Sequence, residues 1–200
     1  MHNAAFREHG LDAVYLACRV EAARLGDAMA GLDALGALGA NVTIPHKEAV
    51  AALADDRSPE VKAIGAANTL ARVEAGWTAH NTDIAGFLAP LEKRDLSGLT
   101  ATVLGAGGAA RAVVYALLTA FAPSRLTIAS RRPEQAEALA DTLAPHDPRR
   151  ALAVAPLHEA PEAGLVVNCT PPGMHGMEDL TPLPGAGLGP GQIAYDLVYR

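Results

Sequence analysis

Residues 102–111, Thr-Val-Leu-Gly-Ala-Gly-Gly-Ala-Ala-Arg, constrain the fold of this chain more than any other stretch. A β-rich run leads into three glycines in four positions, and a helix-forming run follows. The spacing matches G-x-G-x-x-G/A, with Gly105, Gly107 and Ala110 at the fixed positions. Gly105 permits the tight turn, Gly107 lets the backbone approach a pyrophosphate, and the small Ala110 lets the helix pack close to the strand. Gly105, Ala106, Gly107, Gly108 and Ala109 are therefore expected to hold phosphates. The helix N-terminus adds free N–H groups and a partial positive charge.

The rest of the chain alternates short β-rich runs with Ala/Leu-rich stretches of helical period, the pattern of an α/β fold. In the first half, strands are predicted over residues 13–20 and 40–44, with helices over 24–35 and 47–54. A hairpin is expected from 67–73 and 77–81, then a helix from 83 to about 94. The polar stretch 93–98 ends in glycine and precedes a new strand, which places a domain boundary at 95/96. Beyond it the order is strand 102–104, helix 109–120, strand 126–129, helix 133–143, strands 152–155 and 165–168, and strand 193–197. That order predicts a doubly wound nucleotide-binding domain over 96–200. The Pro/Gly-rich stretch 171–191 reads as the only long loop, and no internal repeat is present.

The end of the second strand of that domain selects the dinucleotide. A site for NAD usually places Asp or Glu there, to bond the ribose 2′-OH. Here the residues are Ser130, Arg131 and Arg132. A carboxylate would repel a 2′-phosphate, whereas the Arg131 guanidinium can grip it with a charge-assisted fork, so NADP is the expected cofactor.

Charge narrows the partners. A formal net charge of -6 opposes nucleic-acid binding, since phosphate contacts need a basic surface. No apolar run is long enough to span a bilayer, and residues 1–8 lack the layout of a signal peptide. The two cysteines, Cys18 and Cys169, sit far apart in apolar contexts, so reduced thiols and a cytoplasmic location are expected. No metal is expected. Of sixteen basic side chains only three are Lys: Lys47, Lys62 and Lys93. A lysine in an unusual setting then stands out, because Lys can lose its proton near neutral pH and Arg cannot.

Lys47 has such a setting. Asn41-Val42-Thr43-Ile44-Pro45-His46-Lys47 places a hydroxyl and an amine four residues apart at a strand-to-helix junction. Ala66-Ala67-Asn68-Thr69 and His80-Asn81-Thr82-Asp83 add small polar groups at other strand ends. Singly, each has an ordinary explanation, such as a turn former or a helix N-cap. Taken together and in order, Gly39 to Lys47, Gly65 to Thr69 and Asn81 to Asp83 resemble the signature segments of shikimate dehydrogenases. Gly105 to Ala109, Asn168-Cys169-Thr170-Pro171-Pro172-Gly173-Met174 and Tyr195-Asp196-Leu197-Val198-Tyr199 resemble that family's cofactor-domain segments.

The resemblance implies an N-terminal α/β substrate domain over 1–95, followed by a Rossmann-type NADP domain, with the site between them. It implies NADP-dependent, reversible reduction of 3-dehydroshikimate to shikimate in chorismate and aromatic amino-acid biosynthesis. Lys47 would be the general acid/base and Asp83 its partner. Thr43, Asn68 and Tyr199 would bind the substrate, and Leu197 would line the nicotinamide pocket. Ser130, Arg131, Arg132 and Gln135 would hold the adenosine phosphate, although Ser130 replaces a usual Asn and Arg132 a usual Thr. A quinate/shikimate dehydrogenase and an inactive NADP-binding fragment stand as alternatives, and a homodimer stands as an open assembly. Family members also carry an earlier Ser-x-Ser-Pro strand element and a later Gly-rich segment with a Gln. Their absence between Met1 and Arg200 leads us to expect little activity and marginal stability from this form.

Overall fold

A computed structural model describes residues 1–96, 98–183 and 187–198. The chain divides into two compact units, Met1–Gly36 and Ala37–Arg200.

In the first unit, α1 (His2–Glu8) buries none of its residues. A 3-10 turn at Ala22–Arg24 leads into α2 (Leu25–Ala34), which buries Leu25 and Met29, one turn apart on one face. The helix stops at Gly36, whose φ of 67° is left-handed and whose N–H donates to the Asp33 carbonyl. The strand expected over 13–20 does not form, and residues 11–21 up to the 3-10 turn carry no ladder. Leu11, Val14 and Leu16 are exposed, and the Tyr15 backbone bonds the Asn3 amide instead. β propensity describes fit to a pleated, half-buried surface, and these exposed side chains form none. The Pro/Gly-rich loop is therefore not the only long one.

The second unit opens with β1 (Gly39–Asn41), α3 (Lys47–Leu53), β2 (Asp56–Arg57), α4 (Pro59–Ile64), β3 (Thr69–Val73), β4 (Gly76–His80) and α5 (Asp83–Leu88). These strands make a mixed sheet in the order β1-β3-β4-β2, with only the β2–β4 pair parallel. The strand expected over 40–44 keeps only its first part. The chain turns at the cis Ile44–Pro45 bond, where the His46 N–H bonds back to the Thr43 carbonyl. The helix from Asp83 ends at Leu88 and tightens into a 3-10 turn at Ala89–Leu91, because Pro90 has no N–H to continue it. In this half β2 and α4 go beyond the sequence reading, as α1 does in the first unit. Both β2 and α4 are too short to show a period, yet α4 carries clear end signals in Ser58, Pro59 and the left-handed Gly65.

The second half holds β5 (Thr100–Leu104), α6 (Gly108–Ala120), β6 (Arg125–Ser130), α7 (Pro133–Leu143), β7 (Leu152–Pro156), β8 (Leu165–Asn168) and β9 (Ile193–Asp196). All five strands are parallel, in the order β7-β6-β5-β8-β9. This is the doubly wound Rossmann-type arrangement. The order reverses between β5 and β8, and a crevice at such a switch point is where ligands bind in open α/β sheets.

The core fills with Val103, Ile128, Leu165 and Val167 from the sheet and Val113 and Leu117 from α6. The same cluster takes in Ile64, Phe87 and Leu91 from the first half. Phe87 stacks on Tyr195 of β9 with ring centroids 4.8 Å apart. The apolar core therefore runs unbroken past residue 95.

Candidate functional site

Lys47 opens α3, directly after the turn at Pro45. Asp83 opens α5, directly after β4. Their side chains meet: Lys47 Nζ donates to Asp83 Oδ2 at 2.6 Å, and the two are only 14% and 25% exposed. Asn68, just before β3, donates from Nδ2 to the other carboxylate oxygen at 2.8 Å and to Thr82 Oγ1 at 2.9 Å. Its Oδ1 accepts from the Thr82 N–H at 2.9 Å and from Thr69 Oγ1 at 3.0 Å.

Backbone bonds hold the three segments in register. The Lys47 carbonyl accepts from the Ala67 N–H, and the Asn68 N–H donates to the His80 carbonyl. The buried Asn81 donates to the Ala66 carbonyl and accepts from the Asp83 N–H at 3.0 Å. Both carboxylate oxygens and the Asp83 N–H are thus engaged, so the carboxylate cannot swing away. The lysine ammonium keeps further N–H donors to offer a ligand.

The phosphate turn lies against this group. Gly105 has a φ of 107°, and a Cβ there would lie 3.1 Å from Thr170 Cγ2. Gly107 is the N-cap of α6, and a Cβ there would meet nothing within 4 Å. Open space beside that backbone is the room a pyrophosphate needs. At Gly108 a Cβ would sit 2.9 Å from Lys47 Cβ, so the first turn of α6 rests on the lysine stem. Ala106 and Ala110 are buried, and Ala109 is half-buried.

Farther along the sheet end, Ser130 is buried and its Oγ accepts from the Arg132 N–H at 3.1 Å. Arg131 and Arg132 are exposed, and the half-buried Gln135 donates its N–H to the Arg132 carbonyl. Leu197 packs against the core, and its N–H donates to the Asn168 carbonyl. Asn168 also accepts from Thr170 N–H and Oγ1 and donates to Asp196 Oδ1 at 2.9 Å. A cavity of about 300 Å³ lies beside these residues, lined by Leu104, Val166, Asn168, Gly173 and Asp196, but not by Lys47 or Asp83.

Cys169 connects the two regions. Burial first, and then the nearby Asp196, push its thiol well above the usual cysteine range, while Lys47 pulls the other way and Asp83 adds to the rise.

Of the residues singled out in the sequence, Lys47, Asp83 and Asn68 are brought into one hydrogen-bonded group. Thr43 is not: it is exposed, and no hydrogen bond among the described residues joins its side chain to that group. Tyr199 lies outside the described residues. Sequence reasoning assigned no role to Asn81, Asn168 or Arg111. Arg111 had a signal available, since a cation in the first turn of a helix opposes the helix dipole.

Among the described residues no helix is long and apolar enough to cross a membrane. Residues 1–70 match the family described as the shikimate dehydrogenase substrate binding domain. The whole chain is 50% identical to the shikimate dehydrogenase (NADP(+)) of Salinibacter ruber, covering 73% of that protein. Among solved structures, it is similar to the shikimate 5-dehydrogenase of Thermus thermophilus in complex with NADP(H) and shikimate. The identity is 37% and the TM-score 0.82, over all of this chain and 72% of the other. It is also similar to the quinate dehydrogenase of Corynebacterium glutamicum in complex with NAD. There the identity is 32% and the TM-score 0.81, over 99% of this chain and 74% of the other.

Proposed function

The chain belongs to the shikimate dehydrogenase family, and from that premise we propose that it catalyses the NADP-dependent, reversible reduction of 3-dehydroshikimate to shikimate. The observation that carries the reading is the Lys47–Asp83 pair, 2.6 Å apart, under the glycine turn at Gly108. A carbonyl that becomes an alcohol needs a proton at its oxygen while hydride reaches its carbon.

Lys47 gives that proton to the forming alkoxide, and takes it back in the reverse direction. Asp83 holds the ammonium in place and offsets its charge. Asn68 fixes Asp83 from the other side and is proposed as a substrate contact. Thr43 and Tyr199 are proposed as further substrate contacts. We take residues up to 95 as the substrate side and those from 96 as the cofactor side, although one core serves both.

NADP supplies the hydride when bound. The fit rests on the left-handed Gly105, the open space at Gly107 and the free N–H groups that begin α6. Ala106, Gly108 and Ala109 complete the turn, and Leu197 lines the nicotinamide side. Ser130, Arg131, Arg132 and Gln135 are proposed to hold the adenosine phosphate, with exposed guanidinium groups free to meet it.

We further propose a cytoplasmic enzyme, in keeping with two free thiols at Cys18 and Cys169. A homodimer is the proposed assembly, supported by the exposed Leu11, Val14 and Leu16, and sedimentation would show it as a doubled mass. The function is tested by following absorbance at the reduced nicotinamide band with shikimate and NADP. Turnover of shikimate with NADP supports the reading. Turnover only of quinate with NAD would replace it, and binding of NADP without turnover of either acid would reduce it to a cofactor-binding role.

A further inference from the structure

Arg111 is left without a part in the reading above, yet it occupies a costly place. It stands in the first turn of α6, where the positive end of the helix dipole disfavours a cation. Its side chain is 15% exposed. Nη2 lies 3.0 Å from Glu48 Oε2, and Nη1 donates to the Ile64 carbonyl at 3.1 Å. Nε is buried with no hydrogen-bond partner among the described residues.

The two acceptors belong to different segments. Glu48 follows Lys47 in the first turn of α3. Ile64 ends α4, where the last carbonyls have no partner within the helix. One guanidinium therefore joins the start of α3, the end of α4 and the start of α6. Those ends lead directly to the site: α3 begins with Lys47, α4 runs through Gly65 into Asn68, and α6 begins at Gly108 against the lysine stem.

Stability alone is a poor reason for this arrangement. Glu48 is 49% exposed, and ion pairs of that kind contribute little. The unpartnered Nε adds a cost. What the contacts do supply is geometry, because a planar guanidinium holds two separate acceptors at a fixed spacing, which a flexible lysine ammonium does not.

We infer that Arg111 is a positioning residue that clamps Lys47 and Asn68 against the phosphate turn and so sets the distance between proton donor and cofactor. Its guanidinium is engaged by Glu48 and by the Ile64 carbonyl. Its link to turnover rests on the function proposed above, whereas the clamp itself does not.

The test compares the full chain with Arg111→Met, Arg111→Lys and Glu48→Gln, by amide hydrogen exchange and by kinetics with shikimate and NADP. In Arg111→Met, exchange at the Ala67 amide, which bonds the Lys47 carbonyl, should rise about fivefold or more, while the Trp77 amide stays unchanged. Turnover should fall by roughly tenfold to a hundredfold, with both KM values within about twofold. Arg111→Lys should recover part of the turnover, and Glu48→Gln should show a smaller loss in the same direction. Unchanged Ala67 exchange, or losses in which KM and thermal stability move together with kcat, would overturn the inference. If Arg111→Met fails to fold, Glu48→Gln decides by the same readouts, since it alters only a half-exposed carboxylate. If the unaltered chain does not turn over shikimate, the proposed function fails, and Ala67 exchange alone still decides whether Arg111 is a clamp.

Discussion

At the scale of single residues, the site depends on a lysine that is held but not used up. Lys47 commits one donor to Asp83 and keeps the others, while Asn68 and Asn81 occupy the rest of the aspartate. Lys47→Ala should therefore cut kcat by roughly 10²–10⁴-fold with a smaller change in shikimate KM, measured in steady state. Combined with Asp83→Asn, the loss should be much less than the product of the two single losses; full additivity would show that the pair does not act as a unit. For the cofactor, Arg131→Asp should weaken NADP binding by about tenfold to a hundredfold in a fluorescence titration, and NAD binding far less. Equal effects on both dinucleotides would remove Arg131 from the phosphate site. Cys169 makes a pH prediction. Its folded-state value lies above the ordinary 9.0, so the folded chain keeps its proton where the unfolded chain loses it. That contribution to stability is present below about pH 9 and fades as the pH rises beyond it. The urea midpoint of the unaltered chain should thus fall more steeply above pH 9 than that of Cys169→Ala, and parallel curves would contradict the assignment.

At the scale of elements, helix starts do most of the positioning, because α3, α5 and α6 each begin at the site. The contact between α6 and Lys47 gives a direct test. A methyl group at position 108 would come within 2.9 Å of Lys47 Cβ, which is the stiff base of that side chain rather than its free end. Gly108→Ala should shift the lysine and lower turnover by roughly tenfold to a hundredfold, with NADP binding less affected. Unchanged turnover would mean that the lysine stem yields freely. These helix starts were visible in the residues: Lys47 follows a proline turn, Asp83 follows a strand, and Gly105 and Gly107 precede α6. Elements without such punctuation were not visible. The run 13–20 has the composition of a strand but carries no ladder among the described residues, and β2, two residues long, is defined by its pairing with β4.

At the scale of the whole molecule, apolar packing joins residues on the two sides of the polar stretch 93–98. Ile64, Phe87 and Leu91 share one apolar cluster with Val103, Val113 and Leu117. Trp77 is the sole tryptophan and is buried in the four-stranded sheet, so its fluorescence reports on that half. Urea transitions followed by Trp77 fluorescence and by far-ultraviolet circular dichroism should coincide, as they do for one cooperative unit. A Trp77 transition that precedes the other would show that the two sheets unfold separately. The amino-acid sequence by itself determined the local chemistry: the glycine turn, the alternation of strands and helices, the arginines at the end of β6 and the presence of Lys47, Asn68 and Asp83. These are legible because turns, caps and periodic runs are set by residues near one another in the chain. Only the tertiary structure decided that Lys47 and Asp83, thirty-six positions apart, lie within one hydrogen bond. It alone placed α6 on the lysine stem and tied Arg111 to both Glu48 and Ile64. Such contacts follow from how buried faces pack, and packing depends on the shape of every neighbour at once.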